Sequence, residues 1–460
     1  SIFYIGKTFK MGCNDFNSNV LPTLKIPPGE ARCEAVTTKM FTEHAPWYLK
    51  KRCYNTCVCV HHKRMKDEID SIHAYMNRCQ CHNCKDVGAS IPSKEKLYDV
   101  LRSEMQCDDI KYECIFSCCK KCDKSQRKVL LKIQGCMSKT DISTLTFKDD
   151  TDQKTGKKFK VRCINDVPFN SFFQGFEELI KSHLVHSFVT NHQSDSFTED
   201  ITQLLEGEAV FVIDFQMNLG HCYADTVQAE HWAKTQTTIF PCIFYIHVSD
   251  EIECHSVIIM SDDLEHDNDF VETAMGKVLK LLREDLQYNV THITLWSDGC
   301  KSQFKNKMQF WKLTQTKIKT RHRFFASCHG KGPSDSEGAV VKFGLGEAMR
   351  RGTMLVNSYS AYEYALLNFV DLSGKHWAKD LERKTNQITR RHFIFIGFED
   401  VQRKHKEVEK VTGLVSEVAK NHDFAATGTA GLIKVGWVSC NCKNCTSNWR
   451  TGTNLQCLQT

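Results

Sequence analysis

AVFVIDF, residues 209–215, decides how the chain is read. Five apolar residues run unbroken into Asp214, with Gly207 just upstream. A run this short between turn signals is a buried strand. The same texture repeats outward from it. TTIFPCIFYIH (237–247) and CHSVIIMSD (254–262) are β-branched and aromatic and predict two further strands, HITLWSD (292–298) a fourth and HRFFASC (322–328) a fifth. Phe270, Val271, Ala274, Val278, Leu281 and Leu282 recur at helical spacing within 266–288, and a helical segment is expected over 303–318. After Gly330-Lys331-Gly332-Pro333 another helix should begin with Ser334 as its N-cap. The order β-β-β-α-β-α-β-α predicts an α/β fold built on a mixed five-stranded sheet with flanking helices.

Two acids interrupt this pattern. Asp214 follows AVFVI directly and Asp298 ends HITLW, both at positions otherwise chosen for burial. An acid there is costly unless it is paired or holds a metal. One such residue is ordinarily a cap or a salt bridge; two, in the first and fourth strands, favour chemistry. Asp335 falls near the start of the helix expected after the fifth strand, with 36 residues between it and Asp298, and Glu337 lies two residues on. A carboxylate in a first helical turn is also favoured by the helix dipole, which is its purely structural explanation. Glu347, three turns along, is the weakest candidate. Phosphodiester cleavage by two metals needs such converging carboxylates, and hard Mg²⁺ or Mn²⁺ needs oxygen ligands.

Taken together, VIDFQMN (212–218), AEHWAKTQTTIFP (229–241), WSDGCKSQFKN (296–306) and HGKGPSDSEGAVVK (329–342) resemble transposon-derived animal proteins of the DDE/D transposase type. The resemblance covers about a third of the chain and extends more faintly into the cysteine-rich region. It implies an RNase H-like core, in which the first and fourth strands lie side by side and the third ligand comes from the helix after strand five. Position by position, it makes Asp214, Asp298 and Asp335 the ligands of two Mg²⁺ or Mn²⁺ ions, with Glu337 as the alternative to Asp335. It further implies cleavage of double-stranded DNA at transposon ends, then strand transfer by the freed 3′-hydroxyl, in a homo-oligomer located in the nucleus. A domesticated DNA-binding descendant without catalysis, an RNase H-like nuclease acting on another nucleic acid, and a zinc-based scaffold are the alternatives. The Glu230-His231-Trp232 triplet belongs to the resemblance without a physical role.

Residues flanking the acids suit a phosphate backbone. Lys301, Gln303, Lys305 and Asn306 follow Asp298 at an expected helix start, and Lys331 sits between two glycines that permit close approach. Their alternative is a polar helix start. His329 is a candidate general acid, phosphate contact or, with Cys328, zinc ligand, and equally a satisfied core histidine.

The 24 cysteines fall in C-x-C and C-x-x-C groups mixed with histidine, a spacing that favours zinc thiolates over disulfides. Cys57, Cys59 and His62 form C-x-C-x-x-H, with Cys53 and His61 close by. Cys107, Cys114, Cys119 and Cys122 offer four thiolates in sixteen residues, Cys118 competing with Cys119. Cys79, Cys81 and Cys84 need one ligand from elsewhere, as do Cys440, Cys442 and Cys445, with Cys457 or His422 as candidates. KCDKSQRKVLLK (121–132) looks helical and, with Lys120, presents Lys121, Lys124, Arg127 and Lys128 to a DNA backbone. Each cluster is equally readable as a structural staple.

Composition frames these sites. With 41% hydrophobic and 25% charged residues, 460 residues make a folded chain of two to four domains. Residues 44–168 hold 25 Lys and Arg against 16 Asp and Glu, a net of +9, which leaves −3 for the remainder. A basic segment beside a slightly acidic one suits a polyanion-binding module next to a carboxylate site, or an ordinary solvated surface. The expected organisation is a lead-in (1–43), a cysteine-rich basic module (44–168), a helical connector (169–206), the RNase H-like core (207–352) and a C-terminal helical region with a small zinc cluster (353–460). A polar stretch, FKDDTDQKTGKKFK (147–160), reads as a hairpin turn or linker, and a charged helix is expected at about 400–420. No apolar run is long enough for a membrane span, and Ser1 to Lys10 lack a signal-peptide pattern. The chain opens without an initiating Met, and a module preceding Ser1 is one expectation this leaves.

Overall fold

The computed structural model describes residues 59–107, 112–115, 119–121, 127–151, 156, 158–222, 235–330, 332–370, 388–403 and 418–451. Helix α1 (Val60–Arg78) buries Met65, Ile69, Ile72 and Met76, which recur at helical spacing. It is followed by α2 (His82–Ser90), α3 (Lys94–Met105), the single turn α4 (Tyr112–Ile115) and α5 (Lys128–Gln134). Ser93 caps α3 by accepting the Lys96 N–H at 3.2 Å. An antiparallel hairpin, β1 (Ile142–Thr151) and β2 (Lys158–Val167), closes this region and contains most of the polar stretch expected to be a turn.

Helix α6 (Phe169–Thr202) is 34 residues long and does more than connect. Phe169, Phe172, Phe173 and Phe176 fill a core with α1, α2, α3 and α5. At its other end, Ile201 and the following Leu204 pack beneath the main sheet with Trp296. One helix therefore belongs to two hydrophobic cores, and residues 59–460 form one compact unit.

The sheet begins with β3 (Glu208–Ile213), followed by β4 (Leu219–Gly220), β5 (Gln236–Val248) and β6 (Glu251–Ser261). Ser249 and Asp250 join β5 to β6 with φ of 49° and 68°, the two-residue turn that matches strand twist. Helix α7 (Asn268–Glu284), β7 (His292–Ser297), α8 (Lys307–Gln315), β8 (Lys319–Phe324), α9 (Pro333–Arg350) and α10 (Ser358–Phe369) come next. Then β9 (Ile388–Ile396), β10 (Asp423–Ala426), β11 (Ile433–Gly436) and α11 (Lys443–Thr451) complete the described chain. The strand order is β11-β10-β8-β7-β3-β5-β6-β9, with β4 paired to β5, nine strands among the described residues. β7 runs parallel to both β3 and β8, while β5 is antiparallel to β3 and β6.

Alternation along β3 sorts the two faces. Ala209, Phe211 and Ile213 meet α7 through Phe270, Val271, Ala274 and Val278. Val210 and Val212 turn to Trp296 and the end of α6. A third apolar cluster seats α9 and α10 on β5, β6 and β9. The result is a mixed α/β architecture with helices on both sheet faces.

The five expected strands and three helices are present, but β8 lies three residues earlier than expected and stops at Phe324, leaving 325–328 as loop, and two larger differences stand out. The sheet does not stop at five strands: β9 extends it beside β6, and β10 and β11 extend it beside β8. All three come from residues after 352, which were expected to form a separate helical region. Second, α9 starts at Pro333 with Gly332 as the cap residue, so Ser334 is already inside the helix. Most of the charged helix expected at 400–420 lies outside the described residues. Among the described residues no helix is long and apolar enough to cross a membrane.

Candidate functional site

Because β3 and β7 are parallel and in register, with Val212 opposite Trp296, the residues just beyond their C-terminal ends leave the sheet side by side. Those ends carry Asp214 and Asp298. The loop entering α9 then crosses Asp298 so closely that a Cβ on Gly330 would stand 2.9 Å from the Asp298 Cβ. This brings Asp335, in the first turn of α9, toward both strand ends. Its Oδ2 accepts the Gly332 N–H at 3.0 Å, and its backbone oxygen accepts Gln216 Nε2 at 3.0 Å. Gly338 lets α9 lie against that same Gln216, since a Cβ there would fall 2.3 Å from the Gln216 Cγ.

The electrostatics show that the three acids share one environment. Burial, and then the charges of Asp335 and Asp298, push Asp214 up to about 7. Burial also raises Asp298, with the Asp335 charge adding and the Cys300 N–H opposing. Asp214 Oδ1 accepts the Phe215 N–H at 2.8 Å, and Asp298 Oδ1 accepts the Cys300 N–H at 3.0 Å. Among the described residues neither Asp214 nor Asp298 has a basic side chain within salt-bridge distance. Asp214, Asp298 and Asp335 together do not gather one oxygen each within 4.8 Å, as the thiol clusters gather their ligand atoms. Two ions about 3.5–4 Å apart would in any case spread their ligands over a wider span.

Glu337 has a different fate from Asp335. It is buried and held by Arg391 of β9, whose Nη2 donates to Oε1 at 2.9 Å and whose Nε donates to Oε2. That ion pair pins α9 to the sheet and occupies both carboxylate oxygens. Glu347 pairs with Arg350 on the exposed side of α9.

The flanking residues divide in the same way. Residues 301–306 form turns, and α8 begins only at Lys307, capped by Asn306, which accepts the Gln309 N–H at 3.1 Å. Asn306 Nδ2 also donates to Asn268 at 2.7 Å, a structural contact. Lys305 is buried, its Nζ donating to the Ala419 oxygen at 3.3 Å and lying 5.0 Å over the Phe324 ring. Burial, with Lys301 nearby, lowers it to about 8. Lys301 is exposed, and Gln303 lines an open groove beside Asp214 with Phe215, Gln216, Asn218, Gln236 and His266. His266 stacks on Phe215 at 4.3 Å. In the cysteine-rich region, Lys120, Lys121 and Lys128 are exposed, whereas Arg127 is buried against Glu177 at 2.8 Å. Helix α5 starts at Lys128, so Lys121 lies outside it. Lys124, Lys331 and the Glu230-His231-Trp232 triplet lie outside the described residues.

Four clusters of thiol and imidazole ligands stand apart from the acids. Cys79, Cys81, Cys84 and Cys136 form a complete four-sulfur set. Cys136 lies 3.4 Å from Cys79 and 3.3 Å from Cys81, sulfur to sulfur. Burial resists ionisation of Cys136, but the Tyr75 hydroxyl at 3.1 Å, the Lys139 N–H and the neighbouring thiols outweigh it and draw the group down to about 6. Cys59 and His62 meet His186 of α6 and His329 of the loop after β8. Cys107, Cys114 and Cys119 gather three ligands, as do Cys440, Cys442 and Cys445. These sets could bind metal, and their sulfur and nitrogen donors suit zinc. Cys53, Cys57, Cys118, Cys122 and Cys457 lie outside the described residues, and His422 holds the Trp437 oxygen through Nδ1 at 2.9 Å.

Residues 193–432, more than half of the chain, match a family model described as a domain of unknown function (DUF8701). The chain belongs to that family. No curated protein matches it, and no solved structure does. The family region runs from the second half of α6 to the turn before β11, so it contains all three acids, Arg391 and His329. The four-sulfur set and the ligands Cys59, His62 and His186 lie before it.

Two ligands, Cys136 and His186, escaped the sequence reading, while His329 was named there as one zinc candidate among several readings. Cys136 has no neighbouring cysteine or histidine at metal-ligand spacing, whereas His186 lies three residues after His183, an H-x-x-H signal that went unread. The incomplete triplet Cys79, Cys81 and Cys84 was the one available signal that a fourth thiol existed.

Proposed function

We propose that this chain is a two-metal nuclease and strand transferase acting on DNA, with an RNase H-like core of the DDE/D transposase type. Asp214, Asp298 and Asp335 would hold two Mg²⁺ or Mn²⁺ ions. The observation that carries the proposal is the pair of half-buried acids at adjacent parallel strand ends, with no basic partner among the described residues and a third acid raising the proton affinity of both. A buried cluster of like charges is unfavourable unless cations enter it, and an all-oxygen donor set suits hard ions. When bound, such ions supply Lewis acidity for in-line displacement at phosphorus. The chain's own residues do the rest. The Phe215 and Cys300 N–H groups fix the two strand-end carboxylates, and Gln216 fixes the backbone of Asp335. The groove lined by Phe215, Asn218, Gln236 and Gln303 offers stacking and amide contacts to a strand beside the acids. Exposed Lys301, Lys120, Lys121 and Lys128 would meet phosphates. The proposal carries with it double-stranded DNA as partner, a homo-oligomer that pairs two ends, and a nuclear location.

The test offers end-labelled duplex DNA, single-stranded DNA and RNA to the purified chain with Mg²⁺ or Mn²⁺. Nicking of duplex DNA that leaves 3′-hydroxyl ends is expected. Preference for RNA would replace the substrate but keep the chemistry, and absence of metal-dependent cleavage on all three would overturn the proposal.

Two further results are expected. Below pH about 7 Asp214 carries a proton that the metal must displace, so Mn²⁺ affinity should rise up to about tenfold per pH unit and level off above. Calorimetry in buffers of different ionisation enthalpy reads that proton. Between pH about 4 and 7 the folded state binds this proton and the unfolded state does not, so metal-free stability falls as pH rises through that window. The second result concerns Gly330→Ala. The new methyl must displace either the loop or Asp298, and a shift of a few tenths of an ångström should weaken Mn²⁺ binding roughly 10-fold or more. Unchanged affinity would show that Asp298 is not held by this contact.

A further inference from the structure

We propose that Cys59, His62, His186 and His329 bind one zinc ion, and that this ion clamps the N-terminal helices to the loop that seats the carboxylate site. The ligands come from three remote segments: the start of α1, the middle of α6 and the loop after β8. One donor atom from each of the four lies within 4.8 Å of the others. His186 Nε2 is 3.1 Å from Cys59 Sγ and also 3.1 Å from His329 Nε2. The rings of His62, His186 and His329 stand 5.1 Å apart pairwise, inclined to one another by 44° to 83°. Zinc bonds of about 2.0–2.3 Å at tetrahedral angles put donors roughly 3.3–3.6 Å apart. The cluster is close to that spacing, and no carboxylate belongs to it. One thiolate and three imidazoles form a borderline-soft set that favours zinc over the hard ions suited to the acids.

The backbone gives a second reason. Cys328 has φ of 66°, a left-handed conformation that is unfavourable for a non-glycine residue and persists only where its surroundings enforce it. That turn, closed by the His329 N–H on the Ala326 oxygen at 2.9 Å, directs His329 into the cluster. The next residue, Gly330, packs on Asp298, and Gly332 donates to Asp335. A metal bond at His329 therefore anchors the chain one residue from the carboxylate site. Zinc binding stands independently of the proposed function; the effect on cleavage rests on it.

The test compares the full chain with His329→Ala and His329→Cys, each purified and then equilibrated with zinc. Metal analysis should find one equivalent fewer in His329→Ala and no loss in His329→Cys, because a thiolate can replace the imidazole. Hydrogen exchange of backbone amides 326–335 should be roughly tenfold faster in the alanine variant and restored in the cysteine variant. A full zinc complement in His329→Ala overturns the site, and so does loss from both variants. Both readouts need no nucleic acid, so failure of the nuclease proposal leaves them standing. If His329→Ala loses zinc and loop protection while cleavage by the wild-type chain persists undiminished in the variant, the clamp's link to the carboxylates is overturned.

Discussion

Asp298→Asn should reduce metal-dependent cleavage by roughly 10³-fold or more while making the metal-free protein harder to unfold. The two effects have one cause. The amide oxygen can still accept the Cys300 N–H, so the local backbone keeps its bond. What disappears is a negative charge in a half-buried site where Asp335 also sits and where Asp214 is already pushed up to about 7. A hard cation loses a charged ligand, and the empty site loses a repulsion. At pH 8 without metal, the unfolding midpoint should rise by roughly 1–3 °C. Scanning calorimetry and a cleavage time course on the same preparation check both halves. If the variant is less stable than its parent and cuts equally well, Asp298 is a structural acid and the catalytic proposal fails.

Asp200→Ala should cost on the order of 3–5 kcal/mol of stability. Asp200 sits near the end of α6 with its side chain almost fully buried, accepting Trp296 Nε1 at 2.8 Å, Arg321 Nη2 at 2.9 Å and Arg323 Nη1 at 2.7 Å. Arg323 is 0% exposed and reaches on to Asn441 at 2.7 Å, the Cys440 oxygen at 3.2 Å and Asp423 at 3.2 Å. Burial opposes the Arg323 charge, but Asp200 and Asp423 outweigh it. Burial and the neighbouring Arg323 lower Arg321 to about 10, with Asp200 partly offsetting them. Without Asp200, two buried guanidinium groups would be left with the charges of Asp423 and Glu208. Urea unfolding followed by tryptophan fluorescence reads the loss directly, because Trp296 is in the network. Replacing Asp200, Arg321 and Arg323 together by apolar residues should recover much of it, since the largest penalty comes from charges left without partners. A loss below about 1 kcal/mol in the single variant would mean that water reaches these arginines.

The same network explains why the end of the chain was misjudged from sequence. Cys440 and Asn441 are joined to β8 through Arg323, and β10 lies against β8, so the last hundred residues build the sheet edge. ITRRHFIFI (388–396) carries a strand-like apolar run that went unread. Phe424 of β10, in contrast, is a single buried aromatic in a four-residue strand, too short for any period to show. Arg127 and Lys305 looked like phosphate contacts because charge counts ignore burial; both are folded inward. Glu337 could not be separated from Asp335 by spacing alone, and its guanidinium partner is 54 residues away.

By itself, the sequence determined whatever is set within a few residues. Apolar runs marked five strands, helical spacing marked α7, the Gly330-to-Pro333 turn marked the approach to α9, and an acid at the end of an apolar run marked Asp214 and Asp298. Cysteine triplets marked zinc-like sites because one short segment supplies most of the ligands. Tertiary structure alone decided which remote groups complete those sites: Cys136 for the four-sulfur set, His186 and His329 for Cys59 and His62, Arg391 for Glu337. The physical reason is that a ligand or ion partner is selected by distance in space. Chain separations of 52 to 270 residues leave no periodic trace of that distance until the sheet and α6 have brought the segments together.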